Sequence, residues 1–493
     1  MKRMLEEAKR MIRLNSQAVN GNEELANYCQ TLLEDRGMKV NLQQVTHSFE
    51  GYSKRQFNLI GVLGDPLVDR KIRKGLLLCT QMDTVSPGLK EHWTETDGDP
   101  FNAQVKEGKI FGLGAAETKL DFLAKLYAVA KFRERKLKMP VYLVGLCGGE
   151  AGMFGARYLV KAGTLNPKYV LVGSPTELKV VHAQKSQLLF KVVIGFQQVE
   201  RDARGFNRRI DLYGFGRSAH ACEPSLGVNA IEQSIEFLNR AIENGFELRY
   251  TRFDGGDNVN QVPDRSFVQF YLTSHQFEDF KRFFKETVKS DGKERAFKVE
   301  LGGVGDAGVR FLPDALTTSL WEVTRFFQKM GEDFSRVNDP SFSPDFSTVN
   351  LGRLKQGVSQ LELFFDCRLL PDLMAEQIES HVKQGIQKLA AQFPSLNLSV
   401  VRERYNHGLE IPQESDFLRY CLDSLDEAGI EPQLRKKSGS TEAAIFAQAG
   451  YDVAVFGPGA WEGVSHSPNE SLELEQLERA VSFYEKIIER VCV

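Results

Sequence analysis

Short, uninterrupted apolar runs recur along the first part of the chain, at 57–62, 75–79, 141–146 and 169–172. Each run is bounded by glycine, proline or charged residues, which is typical of strands buried on both faces of a sheet. A segment with helical spacing of apolar positions precedes these runs at 22–36, where Asn22 is a candidate N-cap and Gly37 a candidate end, and others lie between the runs, such as 120–133. This alternation predicts an α/β domain with a large, mostly parallel, helix-covered sheet.

The pattern changes near residue 188, where alternating apolar and polar positions replace the continuous runs. The alternating segments are 188–194, 210–213, 267–272 and 361–369, and the amphipathic segments near them are 228–244, 276–290 and 373–393. Strands with one buried face, beside amphipathic helices, predict a separate α+β domain.

The buried-strand pattern returns at 453–456, and a helical segment closes the chain at 472–491. The α+β domain is therefore inserted into the α/β domain. The predicted boundaries are 1–186 with 404–493 for the larger domain and 187–403 for the inserted one. The stretch 291–347 is mixed in composition and is interpreted as an enlargement of the inserted domain.

Composition narrows the class of protein. The chain has 493 residues, with 42% hydrophobic and 26% charged residues and a net charge of −3. This balance is ordinary for a globular protein and gives no overall attraction to nucleic acid or anionic membranes. No apolar run approaches the roughly 18–20 residues that span a bilayer, and the acidic start lacks a signal-peptide core. We therefore expect a cytoplasmic protein with neither a nucleic-acid nor a membrane partner.

The seven cysteines are odd in number and scattered, and none forms a C-x-x-C pair. Such a distribution argues against a disulfide framework or a cysteine zinc site. We expect these side chains to be small buried apolar groups.

Residues that could bind a ligand or a metal lie in the turns that follow the predicted strands. Polar or glycine-rich turns occur at 81–85, 112–119, 148–152 and 465–470. The ends of parallel strands meet at one edge of a sheet, where α/β proteins place their ligands. A histidine and several carboxylates from distant segments would form a reasonable zinc-ligand set there.

Taken in order, these segments resemble the zinc-dependent exopeptidase and deacylase family of aminoacylases, acetylornithine deacetylases, succinyl-diaminopimelate desuccinylases and glutamate carboxypeptidases. Further matching segments are Trp93 with 99–101, 108–114, 174–176, 218–220, 227–231, 366–368 and 457–459. The resemblance implies two zinc ions that share a bridging carboxylate, beside a glutamate general base. It also implies hydrolysis of a peptide or acyl amino acid, and a homodimer through the inserted domain.

A position-by-position comparison shows that this chain differs from the family pattern at four of the expected site residues. Gln81 stands where the family has the first-zinc histidine, and Glu117 stands where it has the bridging aspartate. Gly149 occupies the general-base position, and Ser174 occupies the position of the first-zinc acid. An amide and a hydroxyl are poor zinc ligands, and glycine cannot accept a proton. Positioned acid–base groups contribute about 10²–10⁴-fold, so ordinary two-zinc catalysis is in doubt.

The residues that correspond to the family's ligands of the second zinc ion match the family better than those of the first. Glu150 and His466 match the family, and with Glu117 they form a three-ligand set for one zinc or another divalent metal. The alternative is no metal at all, with both glutamates as helix N-terminal acids and His466 as a capping or surface residue.

Three other matched residues have two interpretations each. Asp83, which in the family orients the missing histidine, is either catalytic or structural. His220 is either the oxyanion donor to a partner's site or an ordinary exposed histidine. Arg368 is either a clamp for a substrate carboxylate or the partner of Asp366 in a structural ion pair.

Three functions fit these residues. The first is a non-catalytic or altered relative that binds a small peptide or acyl amino acid, or regulates a partner. The second is a one-metal hydrolase with a base taken from another position, such as Asp83 or Glu177. The third is a subunit whose His220 completes the site of an active partner. The losses at Gln81, Gly149 and Ser174 favour the first.

Overall fold

A computed structural model describes residues 2–46, 55–65, 72–197, 199–200, 205–290, 296–304, 310–460 and 463–493. The chain divides into two compact units. The first contains Met1–Ser186 and Asn406–Val493, and the second contains Gln187–Tyr405.

The helices are α1 Lys2–Arg13, α2 Glu23–Glu34, α3 Lys119–Ala130, α4 Phe154–Ala162, α5 Ala230–Glu243, α6 Phe277–Ser290, α7 Asp314–Phe334, α8 Ala375–Gln392, α9 Asp416–Glu427, α10 Ala443–Gln448 and α11 Leu474–Cys492. The strands before the second unit are β1 Lys39–Val45, β2 Gln56–Leu63, β3 Leu76–Gln81, β4 Gln104–Lys106, β5 Lys109–Phe111, β6 Val141–Leu146, β7 Tyr169–Gly173 and β8 Val180–Gln184. The later strands are β9 Ser186–Gly195, β10 Val199–Glu200, β11 Phe206–Phe215, β12 Arg249–Gly255, β13 Arg265–Thr273, β14 Phe297–Val304, β15 Arg310–Phe311, β16 Thr348–Gln356, β17 Gln360–Leu369, β18 Asn397–Asn406, β19 Leu409–Glu410, β20 Leu434–Lys437, β21 Asp452–Phe456 and β22 Ser471–Glu473.

The large sheet of the first unit has the order β1-β2-β6-β3-β7-β21-β8-β19, with β20 beside β8. Its four central strands, β6, β3, β7 and β21, are parallel to one another. Antiparallel pairs flank this centre, so the whole sheet is mixed. The predicted α/β class is confirmed, and parallel pairing is concentrated in the middle of the sheet.

Strand β3 shows why the apolar runs are continuous. Leu76 and Leu78 pack on one face of the sheet, in the core formed with α1, α2, α3, α9 and α11. Leu77 and Cys79 pack on the other face, in the core formed with α4 and α10. All four side chains are at most 1% exposed. Since successive side chains point to opposite faces, a sheet covered on both sides needs apolar residues at every position.

The second unit contains an eight-stranded sheet of order β14-β11-β13-β12-β16-β17-β9-β18. Its apolar core includes residues of α5, α6, α7 and α8. The sequence stretch 291–347 holds β14, β15 and α7, while residues 291–295 and 305–309 lie outside the described part. Helix α7 buries Leu316, Leu320, Val323 and Phe327 at helical spacing, which is the periodicity that identifies it.

One local prediction was wrong in its detail. Asn22 does precede α2, but its side chain makes no capping hydrogen bond. The Asn22 amide instead bonds both backbone groups of Phe57, at 2.8 and 2.9 Å, and so ties the helix start to β2. Gly37 follows the helix with φ of 79°, a left-handed conformation that glycine adopts without strain.

All seven cysteines are buried and free, as the sequence predicted. Among the described helices, none is both long and apolar enough to cross a bilayer.

Candidate metal centre

The ends of the central parallel strands bring the candidate residues to one edge of the large sheet. Gln81 ends β3, Glu150 lies in the turn after β6, and Ser174 follows β7 directly. Glu117 precedes α3 by two residues, and His466 lies between β21 and β22. Neither glutamate falls in the first turn of a helix, so the interpretation as helix N-terminal acids does not describe them.

Glu117, Glu150 and His466 form one cluster, in which one possible ligand atom from each residue lies within 4.8 Å of the others. His466 Nε2 lies 3.2 Å from Glu150 Oε1 and 3.4 Å from Glu117 Oε2. The side chains are 3% exposed for the histidine and 10% for each glutamate. The extra methylene of Glu117, relative to aspartate, therefore does not prevent its carboxylate from reaching the cluster.

Glu470 holds the segment that carries Glu117. Its Oε1 accepts the backbone N–H groups of Ala116 and Glu117, at 2.8 and 2.9 Å. Its own backbone carbonyl accepts the N–H of Gly112 at 2.9 Å. The same loop presents His466, whose φ of 59° is uncommon for a residue with a side chain. Glu470 thus connects the loop of one candidate ligand to the loop of another.

Asp83 has a positioning role in the structure. Its two carboxylate oxygens accept the N–H groups of Gly149 and Glu150, at 2.9 and 3.0 Å. The residue is 1% exposed. Burial, and then the nearby Glu150 carboxylate, raise the pKa of Asp83 to about 7, although the two N–H bonds oppose this shift. Its contacts fix the turn that presents Glu150.

Gln81 occupies space beside Gly149. Its Nε2 donates to Glu150 Oε1 at 2.8 Å. A Cβ atom placed on Gly149 would lie 2.0 Å from Gln81 Oε1 and 2.9 Å from Gln81 Cβ. These distances are too short for real contacts, so the Gln81 side chain and a side chain at position 149 exclude each other in this arrangement.

Ser174 is bonded to a buried lysine that the sequence analysis did not single out. Lys437, the last residue of β20, donates from Nζ to Ser174 Oγ, and to the Pro175 carbonyl at 3.3 Å. Lys437 is 4% exposed and Ser174 is also 4% exposed. A buried ammonium is stable only when acceptors surround it, and Ser174 is one of these acceptors.

A second buried lysine, Lys125, forms a hydrogen-bond network near the end of β3. Lys125 Nζ forms an ion pair with Asp121 at 2.7 Å and donates to Thr80 Oγ1 at 2.7 Å. Thr80 in turn donates to Asp121 at 2.6 Å, and Tyr484 also donates to this carboxylate. This network joins α3, β3 and α11 at Thr80, the residue that precedes Gln81 at the end of β3.

The charges of the cluster act strongly on one another. Burial disfavours the charged form of His466, but the carboxylates of Glu150 and Glu117 outweigh it and raise its pKa to about 9. Burial raises the pKa of Glu470 to about 7. Burial, together with the carboxylates of Asp83, Glu150 and Glu117, also raises the pKa of Glu442 to about 7. The carboxylates of Glu117 and Glu150 thus stabilise a positive charge beside them.

The residues of the cluster fit a divalent metal. Two carboxylates and an imidazole are a suitable donor set for a single ion with an open position. Glu117 Oε2 is buried and has no hydrogen-bond partner among the described residues, as expected of an atom that binds a cation. Positions 81 and 174 do not fit a second ion, because their side chains are neutral and bonded to Glu150 and Lys437.

His220 and Arg368 belong to the second unit. His220 Nδ1 accepts the backbone N–H of Cys222 at 3.1 Å, so the neutral ring carries its proton on Nε2. Arg368 is 3% exposed and forms a two-point ion pair with Asp366, at 2.7 and 3.0 Å. Asp366 also accepts Gln187 Nε2 at 2.6 Å. This is the contact expected of the structural interpretation of Arg368.

Sequence reasoning missed Lys437, Glu442 and the anchoring role of Glu470. The signal for the first two was available, because 438–442 is another polar, glycine-containing turn after a strand and before a helix. Glu177, considered as a replacement base, is instead paired with Arg435 at 2.8 Å and Lys179 at 3.2 Å.

Comparison with known families agrees with this geometry. The family model described as peptidase family M20/M25/M40 matches residues 77–490. The acetylornithine deacetylase of Proteus mirabilis is 24% identical over 96% of this chain and 91% of that protein. The acetylornithine deacetylase of Yersinia pseudotuberculosis is 30% identical over 49% of this chain and 58% of that protein.

Solved structures share the fold over almost the whole chain. A metallo-carboxypeptidase of this family from Sulfolobus solfataricus superposes with a TM-score of 0.58 and 17% identity, and covers 99% of both chains. Human carnosine dipeptidase 1 superposes with a TM-score of 0.59 and 14% identity, and covers 99% of this chain and 97% of its own.

Proposed function

The chain belongs to peptidase family M20/M25/M40, and on that premise we propose that it binds one divalent cation together with a short peptide or N-acyl amino acid, without efficient hydrolysis of the amide bond. The observation that carries this proposal is the cluster of Glu117, Glu150 and His466 beside the uncharged positions Gln81, Gly149 and Ser174.

The ligand class is supported by the relatives. The acetylornithine deacetylases among them are named for an acetylated amino acid, and a structural neighbour is named for a dipeptide. Both ligand types contain an amide beside a carboxylate. A bound cation would polarise the amide carbonyl. Without a carboxylate at position 149, the chain lacks the family's base for activating water.

His220 and Arg368 are assigned to the ligand. A proton on His220 Nε2 supports donation to a ligand carbonyl, because Nδ1 already accepts from Cys222. Asp366 occupies Nε and Nη2 of Arg368, so in this proposal a ligand carboxylate would meet the guanidinium at Nη1. Replacement of Arg368 by Lys should weaken binding of N-acetyl amino acids while leaving amides of the same compounds unaffected, as measured by calorimetry.

The second unit is assigned to homodimer formation, as the family resemblance implies. Sedimentation of the whole chain, and of a chain that lacks residues 187–405, would test this assignment. A monomer at all concentrations would contradict it, and would also remove the role of His220 at a partner's site.

The metal is tested by elemental analysis of freshly purified protein, repeated after incubation with zinc. We expect about one ion per chain, lost in Glu150→Gln. Glu442→Gln is the comparison, since it removes a second buried carboxylate of the same region that is not one of the three candidate ligands. A chain that binds no ion, or a Glu150→Gln chain that keeps it, contradicts the proposal.

A one-metal hydrolase is the second candidate, and Glu442 favours it. Its side chain is 3% exposed, and its Oε1 has no hydrogen-bond partner among the described residues. A pKa of about 7 suits a general base at neutral pH. Hydrolysis of N-acetyl amino acids or dipeptides by the zinc-loaded chain, lost in Glu442→Gln while the metal is kept, would establish this function over the first.

A further inference from the structure

We propose that the buried ammonium of Lys437 takes the place of the first metal ion, so that a second divalent cation cannot bind until this lysine is removed. This inference rests on the proposed function, because it concerns the half of the centre that lies beside the single metal site.

The position of Lys437 in the fold supports this inference. Lys437 ends β20, which pairs parallel with β8 at the side of the large sheet. Its Nζ reaches Ser174 Oγ and the Pro175 carbonyl, immediately after the end of β7. Ser174 is the position at which the family resemblance places the acidic ligand of the first metal. The cationic group therefore lies where the cation of a two-metal centre would meet its ligand.

The net charge of this half of the centre also fits a lysine in place of an ion. A neutral imidazole, one carboxylate and a divalent cation carry together a single positive charge. An amide at position 81, a hydroxyl at position 174 and a lysine ammonium carry the same charge. The net charge of this half is thereby the same without any ion.

The hydrogen bonds and the packing of Gln81 do not suit a metal ligand. Gln81 uses an N–H group to bond Glu150 Oε1 at 2.8 Å, whereas a metal ligand would direct a lone pair towards an ion. Its side chain also fills the space over Gly149. Gln81 thus fits against Gly149 and Glu150, and Ser174 fits against Lys437, so neither set directs ligands at a metal.

Lys437 must also exclude a second ion. A divalent cation at this position would contact a fixed positive charge, and their repulsion in a buried site is large. Restoring ligands without removing the lysine would only supply it with a better partner, because an aspartate at position 174 would pair with the ammonium.

The test counts zinc ions by native mass spectrometry, with zinc as the only probe. Three chains are compared: the natural chain, Gln81→His with Ser174→Asp, and these two changes with Lys437→Met. We expect the last chain to bind one ion more than the second. A fourth chain, which carries Lys437→Arg with the two ligand changes, keeps the charge and should bind no additional ion.

Two results would overturn the inference. One is an additional ion in the chain with the two ligand changes alone, since the lysine would then be no barrier. The other is no additional ion after Lys437→Met in a chain whose circular dichroism is that of the natural protein. The natural chain's own ion count tests the proposed function separately, because the inference depends only on the difference between variants.

Discussion

The two halves of the metal centre differ in what their side chains contact. In one half, Glu117, Glu150 and His466 face one another, with the histidine at 3.2 and 3.4 Å from the two carboxylates. In the other half, Gln81 and Ser174 are bonded to protein groups. Internal hydrogen bonds thus satisfy the uncharged side chains of one half, whereas the charged side chains of the other half face one another and suit a cation.

The largest expected effect on zinc affinity comes from removing a residue of the cluster formed by Glu117, Glu150 and His466. His466→Ala should lower zinc affinity by roughly a hundredfold or more, since loss of a residue that merely orients a ligand already costs about 10–100-fold. Competition titration against a chelating dye measures this change. If His466→Ala binds zinc as the natural chain does, the cluster is not the metal site.

The next effect concerns Glu442 and pH. Its pKa is raised from 4.5 to about 7, so the folded state binds the proton more tightly than the unfolded state does. Stability from this group is complete below about pH 4.5 and is lost as the pH rises to about 7, by up to about 3 kcal/mol.

Glu442→Gln removes this titration, so its free energy of unfolding should fall less than that of the natural chain between pH 5 and pH 7. Urea unfolding at several pH values provides the measurement, with Glu134→Gln at an exposed ion pair as control. Parallel pH profiles for the natural chain and Glu442→Gln would show that Glu442 titrates normally.

A smaller effect is expected from placing a carboxylate at position 149, beside Gln81. Gly149→Glu forces a Cβ against Gln81 and should destabilise the fold by about 1–3 kcal/mol. Adding Gln81→Ala should recover part of this loss, because the clash with Oε1 disappears. Chemical denaturation of the two single variants and the double variant gives the coupling, which we expect to exceed about 0.5 kcal/mol. Additive effects would mean that the two positions do not compete for space.

The smallest effect is expected at Ser174. Ser174→Ala replaces one neutral group by another, so zinc affinity should stay within about threefold of the natural value, since a hydroxyl is a poor zinc ligand. The same dye competition detects a change. A large loss of affinity in Ser174→Ala would place this hydroxyl in the metal site and make the two halves alike.

Several features of the fold could be predicted because they depend on local pattern. The four early apolar runs became strands of the large sheet, and the family resemblance placed Glu150 and His466 in a common site. Helix α7 was missed although its apolar spacing is regular, because the surrounding stretch is mixed in composition. The side-chain partner of Asn22 could not be predicted, because Phe57 is distant in sequence and only the packing of α2 on β2 brings them together.

The sequence by itself determined which residue types stand at the candidate metal positions, including the uncharged Gln81, Gly149 and Ser174. Only the tertiary structure decided that Glu117 reaches the cluster and that Gln81 fills the space over Gly149. It also decided that Lys437 lies against Ser174. The physical reason is that periodicity reports burial along one element, whereas the distance between atoms of separate strand ends depends on how the sheet brings those ends together.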